Sequence, residues 1–375
     1  MAEKTTISDV AKRAQVSVGT VHRAIYGKPG VSEVVRERIL EIAHEMGYQP
    51  NRVASSLRKK PLNIVVAFPA PTEQNRFFYG ELWNGCQECR DLFQYHNCTV
   101  IEVPYNEEQE NSFSSIMGQV LLQNNQSIDG MLIGGKMREE DRILASNVTY
   151  PPHKIPLIAV GENFSDIHCL CSIQSDHVTD GRMAAELLCP QLSEIDGILL
   201  ASGDPDMQSN AENANAFRDW VAEYSPKMKV FMVGGAAEDR SVLERVRQCL
   251  GDHPEIRGLY AVSARGTLQI VEAAKSFMPL RTFRIIGSDL YRESADYLRK
   301  GIISSIIYKN PRNQARTGIQ YMLDYLIWGT TPPAADQRLT SLIINRGNIH
   351  KYYHEETEDE RNLNDEIQRY GNPSV

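Results

Sequence analysis

The sequence predicts an α/β protein: an N-terminal three-helix helix-turn-helix headpiece plus a hinge helix, then two doubly wound parallel α/β lobes. Three observations carry this. The first fifty residues hold two short helices joined by a tight turn, with a third as support, which is the helix-turn-helix layout. From Leu62 onward, continuous apolar strands alternate with amphipathic helices, and the rhythm runs twice, as expected of parallel sheets covered on both faces. The charge divides at the same boundary. Residues 1–60 carry eleven Lys/Arg and six acids, a net +5, whereas the whole chain is −8, leaving −13 for the rest. A basic head on an acidic body suits a phosphate-binding module joined to a regulatory domain.

The first helix opens at Thr6, with Asp9 as a capping-box partner, and Ile7, Val10, Ala11 and Ala14 form its apolar stripe. Gln15-Val16 is the turn. Ser17 caps a second helix to about Ile25, burying Val18, Val21, Ala24 and Ile25 on one side and turning Gly19, His22 and Arg23 outward. Ser32 caps a third, Glu33 to about Met46, with Gly47 as its stop. A plain three-helix bundle with a solvated basic face has the same spacing. After Gly47, residues 48–58 are small and polar except for Val53 and Leu57, which are i and i+4. So short a helix needs a partner, either a twin helix or a DNA groove. Leu57, flanked by Arg52 and Arg58, suits an apolar wedge in a minor groove, and a fraying linker is the bland alternative.

Residues 5–60 resemble the DNA-binding headpiece of the lactose/galactose-repressor (LacI/GalR) family. The resemblance rests on Ile7-Ser8-Asp9-Val10-Ala11-Lys12-Arg13-Ala14, Val16-Ser17-Val18-Gly19-Thr20-Val21-His22-Arg23, Val31-Ser32-Glu33, and Gly47-Tyr48-Gln49-Pro50-Asn51-Arg52-Val53-Ala54-Ser55-Ser56-Leu57. It implies that Val18, Gly19, His22 and Arg23 face base edges and that Ser17, Thr20, Tyr48 and Asn51 contact the backbone. It also implies that Ala54 and Leu57, beside Arg58, enter the minor groove at the centre of a palindrome. The chain departs from the family at Val18-Gly19, which offers no long polar side chain, and at His22, where a small residue is commoner. Direct readout then leans on Arg23, which has the geometry for a bidentate contact to guanine, with Val18 against a thymine methyl.

The composition, 375 residues at 42% hydrophobic, allows large cores and several domains. No N-terminal run resembles a signal peptide and no stretch is long enough to span a membrane, so a cytoplasmic location is expected. Seven cysteines then read as reduced thiols. Cys86 and Cys89 form a Cys-x-x-Cys, but no second pair accompanies them, and core packing is expected there as at Cys169 and Cys171. No metal and no cofactor are expected.

The body runs in order. A strand at 62–68 leads to helix 79–95, strand 98–103, helix 107–125, strand 130–133, helix 138–147, strand 157–160 and a short strand near 171–173. The second round is helix 176–189, strand 198–201, helix 210–224, strand 229–233, helix 239–250, strand 258–262, helix 265–277, strand 284–286, helix 291–300 and strand 302–307. Ligands of doubly wound sheets bind beyond the carboxyl ends of the strands. Those positions hold Asn75, Phe77, Phe78, Asn163, Arg265, Asp289 and Lys309. Aromatic faces with Asn, Asp and charged groups suit a polyol. Taken singly, Phe77 and Phe78 suit packing at a helix start, and Asp289 suits a helix cap.

Residues 62–350 resemble the sugar-binding core of the same family, akin to type I periplasmic binding proteins. The segment Asn75-Arg76-Phe77-Phe78, Asp129-Gly130, Asp289 and Asn310-Pro311 carry that likeness. It implies that Asn75, Phe77, Phe78, Asp289 and Lys309 line an effector site, that helix 311–328 returns to the first lobe, and that strand 338–345 returns to the second. Asn213 stands where an Arg is frequent, four residues before Phe217, and Lys309 where a Gln is frequent. Positive charge is therefore expected to have moved across the pocket, toward an acidic or phosphorylated effector.

The expected domains are residues 1–50 for the head, 51–61 for the hinge helix and linker, 62–350 for the effector-binding core and 351–375 for a charged tail. Lobe 1 is about 62–174 and 309–328, and lobe 2 about 175–308 and 335–350. The tail lacks a coiled-coil seam, so a homodimer on a pseudo-palindromic duplex is expected. The expected function is effector-controlled transcription regulation, as a repressor, with a carbohydrate effector. The rivals are a solute-binding transport protein and a sugar-active enzyme. No GxxxxGK[ST], GxSxG or HExxH appears, and no enzyme is expected.

Overall fold

The computed structural model describes residues 5–25, 30–46, 61–72, 75–106, 111–123, 128–150, 154–235 and 241–353. The hinge segment and the C-terminal tail lie outside them.

The head is three helices, α1 (Ile7–Ala14), α2 (Val18–Ile25) and α3 (Glu33–Glu45). The capping box forms. Thr6 N–H donates to the Asp9 carboxylate at 2.9 Å, and Asp9 N–H reaches the Thr6 hydroxyl at 3.4 Å. Gln15 adopts φ 56° and ends α1 in the left-handed region, which sets the sharp turn into α2. The Ser17 hydroxyl then accepts from Thr20 N–H at 3.1 Å, as an N-cap does. Ser32 occupies the cap position of α3 with extended backbone but makes no side-chain cap bond. Val10, Ala11, Ala14, Val21, Ala24, Ile39 and Ala43 form one small apolar core. Val18 was expected inside it and is instead 45% exposed.

The remaining chain holds two six-stranded sheets. The first has the order β11-β5-β4-β3-β1-β2, built from β1 (Leu62–Ala67), β2 (Cys98–Glu102), β3 (Gly130–Ile133), β4 (Leu157–Val160), β5 (Cys171–Ser175) and β11 (Asp336–Leu339). The second has the order β12-β10-β9-β8-β6-β7, built from β6 (Gly197–Gly203), β7 (Lys229–Gly234), β8 (Ile256–Ala261), β9 (Arg284–Ser288), β10 (Ser305–Tyr308) and β12 (Leu342–Ile344). Parallel pairing runs from β2 through β1, β3 and β4 to β5, and from β7 through β6, β8 and β9 to β10. β12 joins β10 antiparallel. Every residue of β3 and β4 is buried, as strands covered on both faces require, whereas the edge strands β2 and β7 keep exposed positions.

Three elements differ from the sequence expectation. The helix expected over 79–95 is two, Arg76–Gln87 and Arg90–Tyr95. The helix expected from 107 starts at Phe113 among the described residues. The strand expected over 338–345 is divided: Asp336–Leu339 joins the first sheet and Leu342–Ile344 the second. Apolar character alone does not say which sheet edge a short strand meets.

The chain forms two compact units, and it passes between them at Ala70/Pro71, Glu81/Leu82, Gln174/Ser175, Asn310/Pro311 and Arg338/Leu339. All seven cysteines are free. Burial pushes every one of the thiols up, Cys169 and Cys171 to about 12 and Cys98 to about 11. Cys86 and Cys89 are buried. Among the described residues, no helix is long and apolar enough to cross a membrane and no cluster of metal-ligating side chains forms.

Candidate functional site

Two surfaces collect the residues singled out in the sequence. The first is the outer face of α2. Val21 and Ala24 are buried, which leaves Val18, Gly19 and Arg23 exposed on the opposite side. Ser17 is exposed, Thr20 is half-buried, and their hydroxyls lie 2.9 Å apart at the helix start. A Cβ on Gly19 would meet nothing closer than 3.7 Å. Packing within the head therefore does not demand glycine there. Arg36 of α3, which the sequence reading passed over, donates to the carbonyls of Arg23 at 3.2 Å and Ala24 at 3.0 Å. These bonds satisfy the carboxyl end of α2 and fix it on α3. His22 shares a turn with Gly19 and Arg23, but its side chain lies outside the described residues, as do Tyr48, Asn51, Ala54, Leu57 and Arg58.

The second surface lies at the carboxyl ends of β8, β9 and β10. Asp289 follows β9 with φ 64°, 2% exposed. It is not a helix cap, because Tyr291 takes that position for Arg292–Arg299. Its carboxylate stands 3.8 Å from the Lys309 ammonium and accepts Lys309 N–H at 3.4 Å. Lys309, 8% exposed, also donates to the Val262 carbonyl at 2.6 Å. Burial raises the Asp289 pKa, and Lys309 opposes that rise. The positive charge expected to await an anionic effector at Lys309 is thus already matched by protein carboxylates.

Asn213 is fully buried and accepts the Tyr260 hydroxyl at 2.7 Å. Tyr260 stacks on Phe217, with centroids 4.9 Å apart. A Cβ on Gly181 would come within 2.2 Å of the Asn213 carbonyl, so only glycine lets the helices His177–Leu188 and Gln208–Tyr224 approach this closely. Phe77 packs on Tyr291 at 4.3 Å beside Ala264. Arg76 covers its ring at 4.1 Å and pairs with Glu293 at 2.7 Å. Phe78 is half-buried, and Asn75 accepts Thr72 N–H at 2.7 Å. Arg265 is half-buried at a helix start. Asn163 is exposed and follows β4 in the first unit.

The structure thus brings Asp289 and Lys309 into direct contact. It also adds residues that the sequence reading missed, above all Asp180, which is 0% exposed. Its carboxylate feels Lys309, the hydroxyls of Ser341 and Ser175, and Asp289. Burial pushes its pKa up to about 6, with Lys309 the largest opposing influence. The signal was present in the sequence. His177, Asp180, Ala184, Ala185 and Leu188 fall on one helical face, and two of them are polar.

Residues 6–51 match the model described as bacterial regulatory proteins, lacI family, and residues 152–331 match the periplasmic binding protein domain. The chain is similar to catabolite control protein A of Staphylococcus aureus (strain MRSA252), 24% identical over 278 residues, which is 74% of this chain and 70% of that protein. It is also similar to the HTH-type transcriptional regulator DegA of Bacillus subtilis (strain 168), 32% identical over 142 residues. That second match spans 38% of this chain and 40% of DegA, less than half of either. Among solved structures, GanP, a glucose-galactose binding protein from Geobacillus stearothermophilus, superposes with a TM-score of 0.65 at 16% identity, over 78% of this chain and 99% of that one. At that identity the likeness establishes the fold.

Proposed function

We propose a division of labour between the lacI-family domain matched by residues 6–51 and the periplasmic-binding-protein-like domain matched by residues 152–331. The head binds a pseudo-palindromic operator as part of a homodimer in the cytoplasm. The core binds a small carbohydrate, returns it unchanged, and through it sets operator affinity, acting as a repressor. The observation that supports this best is the outer face of α2, where Val18, Gly19 and Arg23 stand exposed above a packed three-helix core. That presentation suits entry into a major groove, with Arg23 as the base-reading side chain and Ser17 and Thr20 at the phosphates. Tyr48, Asn51, Ala54, Leu57 and Arg58 complete the DNA contacts in this proposal.

For the effector, the proposal assigns Asn75, Phe77, Phe78, Asn163, Asn213, Arg265, Asp289 and Lys309. GanP, a glucose-galactose binding protein of the same fold, supports a sugar. The matching of Lys309 by Asp289 favours a neutral sugar over the acidic one expected from the sequence. An effector works only through its different affinity for the two states of the protein. Selection of a bound duplex from random DNA, followed by titration of that duplex against neutral and anionic sugars, tests the whole reading. Failure to enrich any duplex overturns the DNA half. Release or tightening by anionic sugars alone overturns the effector half.

A further inference from the structure

A cavity of about 120 Å³ opens at the amino ends of β4 and β5, with Thr149, Lys154, Leu157, His168, Leu170 and Tyr325 in its wall. All six belong to the first unit. Asn163, the effector residue proposed in this unit, follows β4 at the other end of that strand, so the two places are separate. Leu157 is buried and Leu170 half-buried, and they give the wall its apolar part. The polar part is rich in donors. The helix Glu139–Thr149 ends here, and its last carbonyls are taken. Asn147 accepts Tyr150 N–H at 3.2 Å, Val148 accepts Ile155 N–H at 2.9 Å, and Ser146 accepts the Thr149 hydroxyl at 2.7 Å. The carboxylates nearest in sequence are engaged as well. Asp166 pairs with Arg142 at 3.2 Å, and Asp324 accepts the Gln320 side chain at 3.0 Å. Among the described residues, the Lys154 ammonium, the His168 ring and the Tyr325 hydroxyl keep no hydrogen-bond or ion-pair partner. Lys154 also holds φ 52°, in the left-handed region that asparagine or glycine adopts at lower cost than lysine.

We propose that this cavity is a site for inorganic phosphate. Its volume has room for about four waters, and so for one tetrahedral oxyanion. The Lys154 ammonium supplies the charge, and charge-assisted hydrogen bonds to an oxyanion are the strong ones. The Tyr325 hydroxyl donates to a second oxygen. The His168 ring, which sits against the Tyr150 ring with centroids 6.3 Å apart, donates an N–H in either tautomer. The Thr149 hydroxyl is different, because its proton is given to Ser146 and only its lone pairs are left for a ligand. Hydrogen phosphate carries an O–H that meets them. Sulfate carries none at neutral pH, so the same wall prefers phosphate to sulfate. Leu157 and Leu170 offer no polar group, which keeps the site to a small anion.

The site lies in the first unit alone, and its test uses neither DNA nor sugar, so it stands or falls apart from the functional reading above. Amide hydrogen exchange of the full chain is measured at neutral pH in an amine buffer, with inorganic phosphate added while chloride holds the ionic strength constant. Peptides covering the end of helix Glu139–Thr149 and the start of β5 are expected to exchange more slowly, saturating in the millimolar range. Peptides covering β8 serve as the reference and are expected to stay level. Sulfate at the same ionic strength is expected to act about five-fold more weakly. Lys154→Asn, which removes the charge and suits the left-handed backbone, is expected to raise the phosphate midpoint about ten-fold. Tyr325→Phe, which keeps the ring and drops the donor, is expected to raise it about five-fold. Slowing confined to peptides of the basic head, or no slowing in millimolar phosphate, overturns the site. So does a midpoint that either variant leaves unchanged. Equal protection by sulfate and phosphate overturns the choice of hydrogen phosphate.

Discussion

The Lys309 ammonium is paired with the buried Asp289 carboxylate and also acts on the buried Asp180 carboxylate. It is 3.8 Å from Asp289, and it is the largest influence favouring the charge of Asp180. It also donates to the Val262 carbonyl, so three elements meet on one side chain. Removing one partner of a buried ion cluster leaves the others uncompensated. Lys309→Met is therefore expected to destabilise the protein by about 3–5 kcal/mol at pH 7.5, and by less at pH 5, where Asp180 holds its proton. Urea unfolding at the two pH values measures both. A loss under about 1 kcal/mol at pH 7.5 would show that the cluster is not paired as described.

Asp180 supplies the opposite sign. Its carboxyl in the folded protein, pushed up to about 6, lies above the ordinary 3.8. Between those values the native state holds a proton that the unfolded chain has released. Stability contributed here is present at low pH and is lost as pH rises toward 6. The full difference corresponds to at most about 3 kcal/mol. Asp180→Asn is expected to be more stable than the wild type at pH 7.5 and no more stable at pH 4. Unfolding curves that keep the same ordering at both pH values would falsify this.

Gly181 permits the close approach of two helices. Gly181→Ala forces a Cβ against the Asn213 carbonyl and the Phe217 amide, both backbone atoms that cannot turn aside. A loss of about 1–3 kcal/mol is expected, with Gly118→Ala, where nothing lies within 4 Å, as the control. Equal melting temperatures for the two variants contradict the described packing.

Gly19 is the converse case. Its Cβ direction is open and it lies inside α2, so Gly19→Ala is expected to stabilise the head by about 1 kcal/mol. Thermal melting of the full chain, followed through the head's helical signal, reads this. If operator affinity falls in the same variant, the missing side chain is what lets DNA approach. Destabilisation of the head rules out α2 as described.

Leu57→Ala addresses the segment between head and core. It is expected to weaken operator binding while leaving effector affinity unchanged. Fluorescence anisotropy on the selected duplex and calorimetry with a bound sugar separate the two. Unchanged operator affinity removes the wedge from the account.

Much of this architecture was legible locally. The continuous apolar runs of β3 and β4, the capping box at Thr6 and Asp9, and the turn at Gln15 are properties of neighbouring residues, and periodicity and caps report them. The break between Gln87 and Arg90 was not legible, because the apolar pattern continues through it at Cys86, Cys89 and Phe93. The division of residues 336–344 between two sheets was hidden for a different reason: sheet membership is decided by strands far away in sequence. The same holds at the candidate site. Strand ends pointed to Asp289 and Lys309, but their pairing with each other is a fact of strand order in the second sheet. Phe77 stood out by residue type, yet its packing on Tyr291 is set by the tertiary fold.

The seven free cysteines have a practical consequence. Each thiol is held toward its protonated, unreactive form, and none is fully exposed. Alkylating dyes attack the thiolate, so a cysteine introduced on the open face of α2 outpaces all seven natural ones. The native chain is in that sense chemically silent. A single reporter on the head can follow its response to candidate sugars without first stripping the molecule of its own sulfur.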